Sequence, residues 1–120
     1  MGSSNTTILI VDDEKRIQNI YIRTFVEAGF SVRWAGNAQE AMNILVREKI
    51  DVVLLDIKMP RINGQTLFDV IQKYDPTIKV IVSSVYPVDK QKLMIPQARD
   101  YYDKSQGPAV LLEKVAHAIV

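Results

Sequence analysis

The chain has 120 residues, of which 48% are hydrophobic and 24% are charged, and its formal net charge is +1. This length and balance predict one globular domain, residues 7–120, behind a flexible tail of residues 1–6. The near-neutral charge gives no reason to expect direct nucleic-acid binding, and the absence of cysteine excludes disulfides, thiolate metal sites and a cysteine nucleophile. No apolar run has the length of a membrane span, and Met1–Asn5 is unlike a signal peptide, so we expect a cytoplasmic protein with no membrane partner.

Apolar segments alternate along the chain with segments of helical periodicity. The predicted strands are Thr7–Val11, Phe30–Ala35, Ile50–Asp56, Lys79–Val85 and Asp100–Asp103. The predicted helices are Glu14–Ala28, a second from its cap Asn37 to about Glu48, Gly64–Tyr74, a fourth of one or two turns between its cap Asp89 and Pro96, and Pro108–Ile119. Strict alternation predicts an α/β fold, a doubly wound five-stranded parallel sheet with the flavodoxin-like (βα)5 strand order 2-1-3-4-5.

Acidic residues follow two strongly apolar strands. Ile8–Val11 leads into Asp12 and Asp13, and Val52–Leu55 leads into Asp56. Because the carboxyl ends of parallel strands meet at one edge of a sheet, where ligands bind in this class of fold, we expect the three carboxylates to converge. Carboxylates in one pocket repel one another unless a cation neutralises them, and a few hard oxygen ligands suit Mg2+. Such a site can carry out phosphoryl transfer, in which one carboxylate attacks phosphorus.

A hydroxyl and an ammonium group end the last two predicted strands. Ser84, with Ser83 beside it as a competing candidate, ends the fourth strand, and Lys104 follows the fifth. A hydroxyl can donate to a phosphoryl oxygen and an ammonium can pair with one. Taken alone, Asp12–Asp13 would suit a helix cap and Lys104 a solvated surface position. Their common place at strand ends favours a functional site, and Trp34 ends the second strand nearby without a role that the sequence assigns.

In this order and on this strand pattern, the chain resembles the receiver domain of bacterial two-component response regulators over residues 7–120. The motif residues are Asp12-Asp13, Asp56, Met59-Pro60, Gly64, Ser84, Tyr101 and Lys104. The resemblance implies that Asp56 is a phosphoacceptor, which takes a phosphoryl group from a histidine kinase or a histidine phosphotransfer protein in a phosphorelay. It also implies Mg2+ binding by Asp13, Asp56 and the backbone carbonyl of Lys58, with Asp12 acting mainly through a metal-bound water.

The resemblance further implies a conformational switch. Ser84 and Lys104 would hold the phosphoryl oxygens, and Tyr101 would change rotamer with Ser84. The change would reach the face formed by the fourth helix, fifth strand and fifth helix, which would act on an output domain or a downstream protein target or form a phosphorylation-dependent homodimer. We predict that Lys58 and Tyr86 tune hydrolysis of the phosphoaspartate. Such a domain phosphorylates and dephosphorylates itself but is not an enzyme for an outside substrate.

Two departures from the receiver pattern affect the prediction, and three alternative functions remain open. Ser105 follows Lys104 where the family usually has proline, and Pro96 shortens the fourth helix, so the loop after the fifth strand and the switch surface are the hardest regions to predict. A degenerate receiver could serve as a docking module. An aspartyl-phosphate hydrolase of the haloacid dehalogenase type would need an aspartate where Lys58 stands, and a flavodoxin-like or nucleotide-binding module would need a glycine-rich loop that residues 12–16 lack.

Overall fold

The computed structural model describes residues 6–59 and 62–120, with the backbone alone at Lys58, Met59 and Ile62, so Pro60 of the motif lies outside the described residues. The main strands are β1 (Thr7–Val11), β2 (Ser31–Ala35), β3 (Val52–Leu55), β4 (Lys79–Ser84) and β5 (Asp100–Asp103). The helices are α1 (Lys15–Glu27), α2 (Ala38–Leu45), α3 (Gly64–Tyr74), α4 (Val88–Met94) and α5 (Pro108–Ala118). A 3-10 turn, Lys104–Gln106, follows β5, and Lys58–Met59 pairs with Ile62–Asn63 in a short antiparallel ladder.

The main sheet has the strand order β2-β1-β3-β4-β5, and every neighbouring pair is parallel. The predicted fold and strand order are therefore confirmed. Val11 pairs with Ala35 on one side and with Leu55 on the other. This register puts the residues that follow β1 and β3 at the same edge of the sheet.

The core lies on both faces of the sheet, as the unbroken apolar runs in β1 and β3 predict. All four residues of β3 are buried. Alternate side chains of β1 and β3 face opposite layers, one beneath α2 and α3 and the other beneath α1 and α5. The second layer includes Phe25, Leu111 and Val115, which are fully buried.

Several predicted boundaries differ from the structure. The predictions for β3 and β4 were too long, since Ile50, Asp51 and Asp56 lie outside β3 and Val85 lies outside β4, where its side chain is 57% exposed. Helix α2 ends at Leu45 because the next three residues form a turn and a bend. Neither the 3-10 turn nor the antiparallel ladder was predicted.

Of the two predicted helix caps, one is confirmed and the other is wrong. The side chain of Asn37 accepts a hydrogen bond from the Glu40 amide, so the predicted cap of α2 is confirmed. The prediction that Asp89 caps α4 is wrong, because the helix begins at Val88 after Pro87 and Asp89 lies in its first turn. The predicted shortness of α4 is confirmed, since it has 7 residues. Among the described residues, no helix is both long and apolar enough to cross a bilayer.

Candidate functional site

Three carboxylates meet at the carboxyl edge of the sheet, as the sequence predicts. The Asp12 amide donates to the Ala35 carbonyl, and the Asp56 amide donates to the Val11 carbonyl, so the sheet ladder fixes both backbones. One carboxylate oxygen from each of Asp12, Asp13 and Asp56 lies within 4.8 Å of the other two. Asp12 is 1% exposed and Asp56 4% exposed, whereas Asp13 is open to solvent. The site therefore holds two buried carboxylates and one at its mouth.

Lys104 supplies the positive charge that faces these carboxylates. Its Nζ lies 2.7 Å from Asp12 Oδ2 and 3.4 Å from Asp56 Oδ2, and its side chain is 10% exposed. Burial alone would lower the pKa of Lys104, but its hydrogen bond with Asp12 and the charges of Asp56 and Asp12 outweigh burial and raise that pKa. Lys104 is thus a fixed cation bound to two of the predicted site residues.

Glu14 is a fourth acid at this site that the sequence reasoning used only as the start of a helix. Its amide donates to Asp12 Oδ1 at 2.9 Å, and its Oε1 lies 3.4 Å from Lys104 Nζ. A hydrogen bond from the Arg16 side chain lowers the pKa of Glu14, and the charge of Lys104 acts in the same direction. The only sequence signal was its position as the third acid in a row after β1.

The 3-10 turn after β5 positions Lys104. Asp103 Oδ1 accepts hydrogen bonds from the Ser105 amide at 2.9 Å and the Ser105 hydroxyl at 2.8 Å. The Asp103 amide in turn donates to Gln106 Oε1 at 3.1 Å, which completes a capping box. The loop with serine in place of proline is therefore built by side-chain hydrogen bonds to its own backbone.

The structure separates the two candidate serines of β4. Ser84 lies opposite Asp103 and Ser83 opposite Tyr102, and both serines are buried. Ser84 Oγ accepts a hydrogen bond from the Tyr86 amide at 3.2 Å, whereas Ser83 Oγ has no hydrogen-bond partner among the residues that the structure describes. The Tyr86 ring lies beneath Lys90, whose Nζ is 4.3 Å from the ring centroid.

Two further predicted residues are Tyr101, which the structure places in full, and Lys58, whose backbone it describes. Tyr101 is 6% exposed, and its hydroxyl donates to the Ile95 carbonyl and accepts from the Ala98 amide, so it is held by the segment after α4. For Lys58 the structure describes the backbone, which pairs with Asn63. Its roles as a carbonyl ligand and in tuning hydrolysis remain predictions.

A cavity of about 450 Å³ opens beside the acidic site and is lined in part by Asp13, Lys15 and Trp34. Trp34 is the single tryptophan of the chain. Its indole therefore shares a cavity with the solvent-exposed carboxylate and offers a fluorescence reporter for events at the site.

The donor set fits Mg2+, which prefers a few hard oxygen ligands and retains several waters. The described acids offer anionic oxygens at one point, and the exposure of Asp13 leaves that point open to solvent. A bound cation would relieve the mutual repulsion of the carboxylates, which Lys104 offsets only in part. The arrangement suits a reaction in which charge develops on a phosphoryl group beside Asp56.

Comparison with known proteins points in the same direction. Residues 8–116 match the family model described as the response regulator receiver domain. Over 82 residues the chain is 34% identical to sporulation initiation phosphotransferase F of Bacillus subtilis (strain 168), an alignment that covers 68% of this chain and 66% of that protein. The chain spans less than two thirds of the length of the curated relatives that it matches.

Two solved structures show the same architecture. The response regulator TrrA of Thermotoga maritima, solved in complex with Mg2+ and BeF, superposes with a TM-score of 0.84 at 32% identity over 94% of this chain and 98% of that one. A CheY-like receiver domain protein from Methanospirillum hungatei gives a TM-score of 0.86 at 29% identity over 93% and 91% of the two chains.

Proposed function

The chain belongs to the family of response regulator receiver domains, and we propose that Asp56 accepts a phosphoryl group from the phosphohistidine of a histidine kinase or a histidine phosphotransfer protein. One observation carries the proposal. Oxygens of Asp12, Asp13 and Asp56 lie within 4.8 Å of one another at the end of paired strands, with Lys104 Nζ 3.4 Å from Asp56 Oδ2. A nucleophile, metal ligands and a cation thus stand together in a mostly buried pocket.

In this proposal Asp13, Asp56 and the Lys58 carbonyl hold Mg2+, and Asp12 acts mainly through a bound water. When bound there, the metal would supply positive charge that offsets the negative charge of the phosphoryl oxygens beside Asp56. An Asp56 carboxylate oxygen attacks phosphorus, so that an O–P bond forms while the P–N bond to the donor imidazole breaks. The electron pair of the broken bond stays on the imidazole nitrogen.

Lys104 and Ser84 bind the transferred group. Lys104 already contacts Asp56, so a small movement of its Nζ would pair it with a phosphoryl oxygen. The Ser84 oxygen accepts from the Tyr86 amide, which leaves the hydroxyl proton to be donated to another phosphoryl oxygen. Ser84 ends β4 and Lys104 directly follows β5, and these two strands neighbour each other in the sheet.

The signal is then a change of conformation on the face formed by α4, β5 and α5. Tyr101, held now by Ile95 and Ala98, would change rotamer as Ser84 turns toward the phosphoryl group. That face would act on an output domain or a downstream protein, or form a phosphorylation-dependent homodimer. Lys58 and Tyr86 would tune the lifetime of the phosphoaspartate.

The proposal also concerns the whole domain. We take residues 7–120 as the receiver domain, working in the cytoplasm, where a kinase has ATP. It would catalyse only its own phosphorylation and dephosphorylation. A docking module without phosphorylation would have no use for a buried set of carboxylates around a lysine, and a hydrolase of the haloacid dehalogenase type would need an aspartate where Lys58 stands.

Intact mass after incubation with acetyl phosphate tests the proposal. Wild type should gain one phosphoryl group in the presence of Mg2+ and none when EDTA removes it, because Lys104 alone offsets only part of the negative charge that repels the phosphoryl oxygens. Asp56→Asn should gain none, while the control Asp69→Asn, at an exposed acid on α3, should behave as wild type. No gain by wild type would favour a docking module. Phosphorylation of Asp56→Asn would show that the acceptor lies elsewhere.

A further inference from the structure

Helix α4 turns a glutamine toward the interior and a leucine toward solvent. Gln91 is 0% exposed, whereas Leu93 is 84% exposed. A surface helix is usually anchored by apolar side chains, and a buried amide costs free energy unless it is hydrogen-bonded. Val88 and Ile95 pack against the core at the two ends of α4, and the centre of the helix is attached through the polar contacts of Gln91.

Those contacts join two other segments. Gln91 Nε2 donates to the Tyr86 carbonyl at 2.7 Å and to the Tyr102 carbonyl at 2.9 Å. Because both acceptors are carbonyl oxygens, only the NH2 end of the amide can serve them, and this fixes the orientation of the group. Within the described part of the chain, Gln91 Oε1 is buried and has no donor. A buried acceptor without a donor costs free energy, so a movement of α4 that brought a donor to this oxygen would be favoured.

Tyr86 connects Gln91 to the proposed phosphoryl site. Its amide donates to Ser84 Oγ at 3.2 Å, so the Tyr86 backbone is held by Ser84 on one side and by Gln91 on the other. On the other branch, Tyr102 lies in β5 two residues before Lys104. Gln91 thus donates to backbone carbonyls two residues after Ser84 and two residues before Lys104, the two groups that would bind phosphoryl oxygens.

On the basis of the proposed function, we infer that Gln91 is a positioning residue that couples the Ser84 hydroxyl to α4. When Ser84 turns to donate to a phosphoryl group on Asp56, the Tyr86 amide moves with Ser84 Oγ. The Tyr86 carbonyl then shifts, and the hydrogen bond that it accepts from Gln91 Nε2 moves α4 with it. The coupling follows three contiguous contacts, Ser84 to Tyr86, Tyr86 to Gln91, and Gln91 to Tyr102.

Amide NMR with beryllium fluoride and Mg2+ as a phosphoryl analogue tests this coupling. We compare wild type with Gln91→Met, which keeps the length of the side chain and removes both donors. At saturation the amides of Asp13 and Asp56 should shift equally in the two proteins, whereas the shifts across α4 should fall to half of the wild-type size or less. The control Leu93→Ala, at an exposed position of the same helix, should retain the full response. Full α4 shifts in Gln91→Met would overturn the inference.

A measurement on wild type makes the test independent of how the variant folds. The side-chain NH2 of Gln91 should exchange slowly with water, and its resonances should shift when beryllium fluoride binds. Unchanged Gln91 side-chain resonances alongside shifted Asp56 resonances would contradict the coupling but leave the proposed function intact. If even the Asp13 and Asp56 amides of wild type failed to respond, the proposed function would fail and the coupling with it.

Discussion

Replacing Lys104 by methionine keeps the length of the side chain and removes the charge that faces Asp12 and Asp56. These acids are 1% and 4% exposed, and their oxygens lie 2.7 and 3.4 Å from Lys104 Nζ. Removing one partner of a buried ion pair costs about 3–5 kcal/mol. Coulomb repulsion between two carboxylates whose oxygens lie within 4.8 Å is of the same size, about 3.5 kcal/mol at an effective dielectric constant of about 20. In metal-free solution at neutral pH, we expect Lys104→Met to lower the free energy of unfolding by about 3–5 kcal/mol.

Urea unfolding followed by Trp34 fluorescence, in EDTA and in saturating Mg2+, measures this loss. Mg2+ should stabilise Lys104→Met more than wild type, because the cation binds the same carboxylates without competition from the ammonium group. The control is Lys114→Met, since Lys114 pairs with Asp100 at 3.4 Å in a partly exposed position, and its loss should stay below about 1 kcal/mol. A loss for Lys104→Met as small as the control's, or an equal effect of Mg2+ on variant and wild type, would refute the reasoning.

Two further predictions concern the loops that hold the site. Gly64→Ala would place a Cβ 2.9 Å from Ile57 Cα, so thermal unfolding should show that the free energy of unfolding falls by about 1–3 kcal/mol. The control Gly36→Ala, whose Cβ would lie 3.5 Å from its nearest neighbour, should lower the free energy of unfolding less. Hydrogen bonds from the Ser105 amide and hydroxyl lower the pKa of Asp103, so its carboxylate stabilises the fold fully above the ordinary aspartate pKa of about 3.9 and loses this effect as the pH falls through the lowered value. The stability difference between wild type and Asp103→Asn should therefore be constant from about pH 5 to 7 and shrink below about pH 4; a pH-independent difference would contradict this account.

The sequence was sufficient where topology alone decides which residues meet. Asp12 and Asp56 follow unbroken apolar strands, and parallel pairing leaves such residues no other place than the same edge of the sheet. Lys104 follows β5, whose predicted bounds match the structure. The fold and the meeting of these side chains were therefore predictable from strand pattern and residue type.

Helix orientation was harder to predict, because the apolar residues of α1 extend around much of its circumference. The spacing of Ile17, Ile20, Tyr21, Thr24 and Ala28 predicts the buried face of this helix. That face omits Phe25, which is fully buried, and includes Ile20, which the structure leaves 52% exposed. Periodicity gives the existence of a helix more securely than its rotation, which tertiary packing decides. The start of α4 was also harder to predict. Asp89 is a favourable capping residue, but the helix begins at Val88 directly after Pro87, so Asp89 lies in the first turn.

Glu14 and Gln91 escaped the sequence analysis for a different reason. Each contacts a partner in a later segment of the chain, Glu14 the side chain of Lys104 and Gln91 the carbonyl of Tyr102. A glutamine on a short helix is read as a surface residue, since burial of an amide is rare without partners, and the partners here are backbone carbonyls that no side-chain pattern reveals.

The proposed switch follows from how the charges are held. Lys104 joins Asp12, Glu14 and Asp56, so it is bound to the ends of two strands and to the start of α1. A phosphoryl group on Asp56 would add negative charge at the one point where Lys104 is already shared, and would draw its ammonium away from Asp12. Because Asp103 and the capped turn hold the Lys104 backbone, the ammonium can move while β5 stays in register. The larger displacement then falls on α4, which apolar side chains hold at its two ends, Val88 and Ile95, while its centre is held by the hydrogen-bonded amide of Gln91.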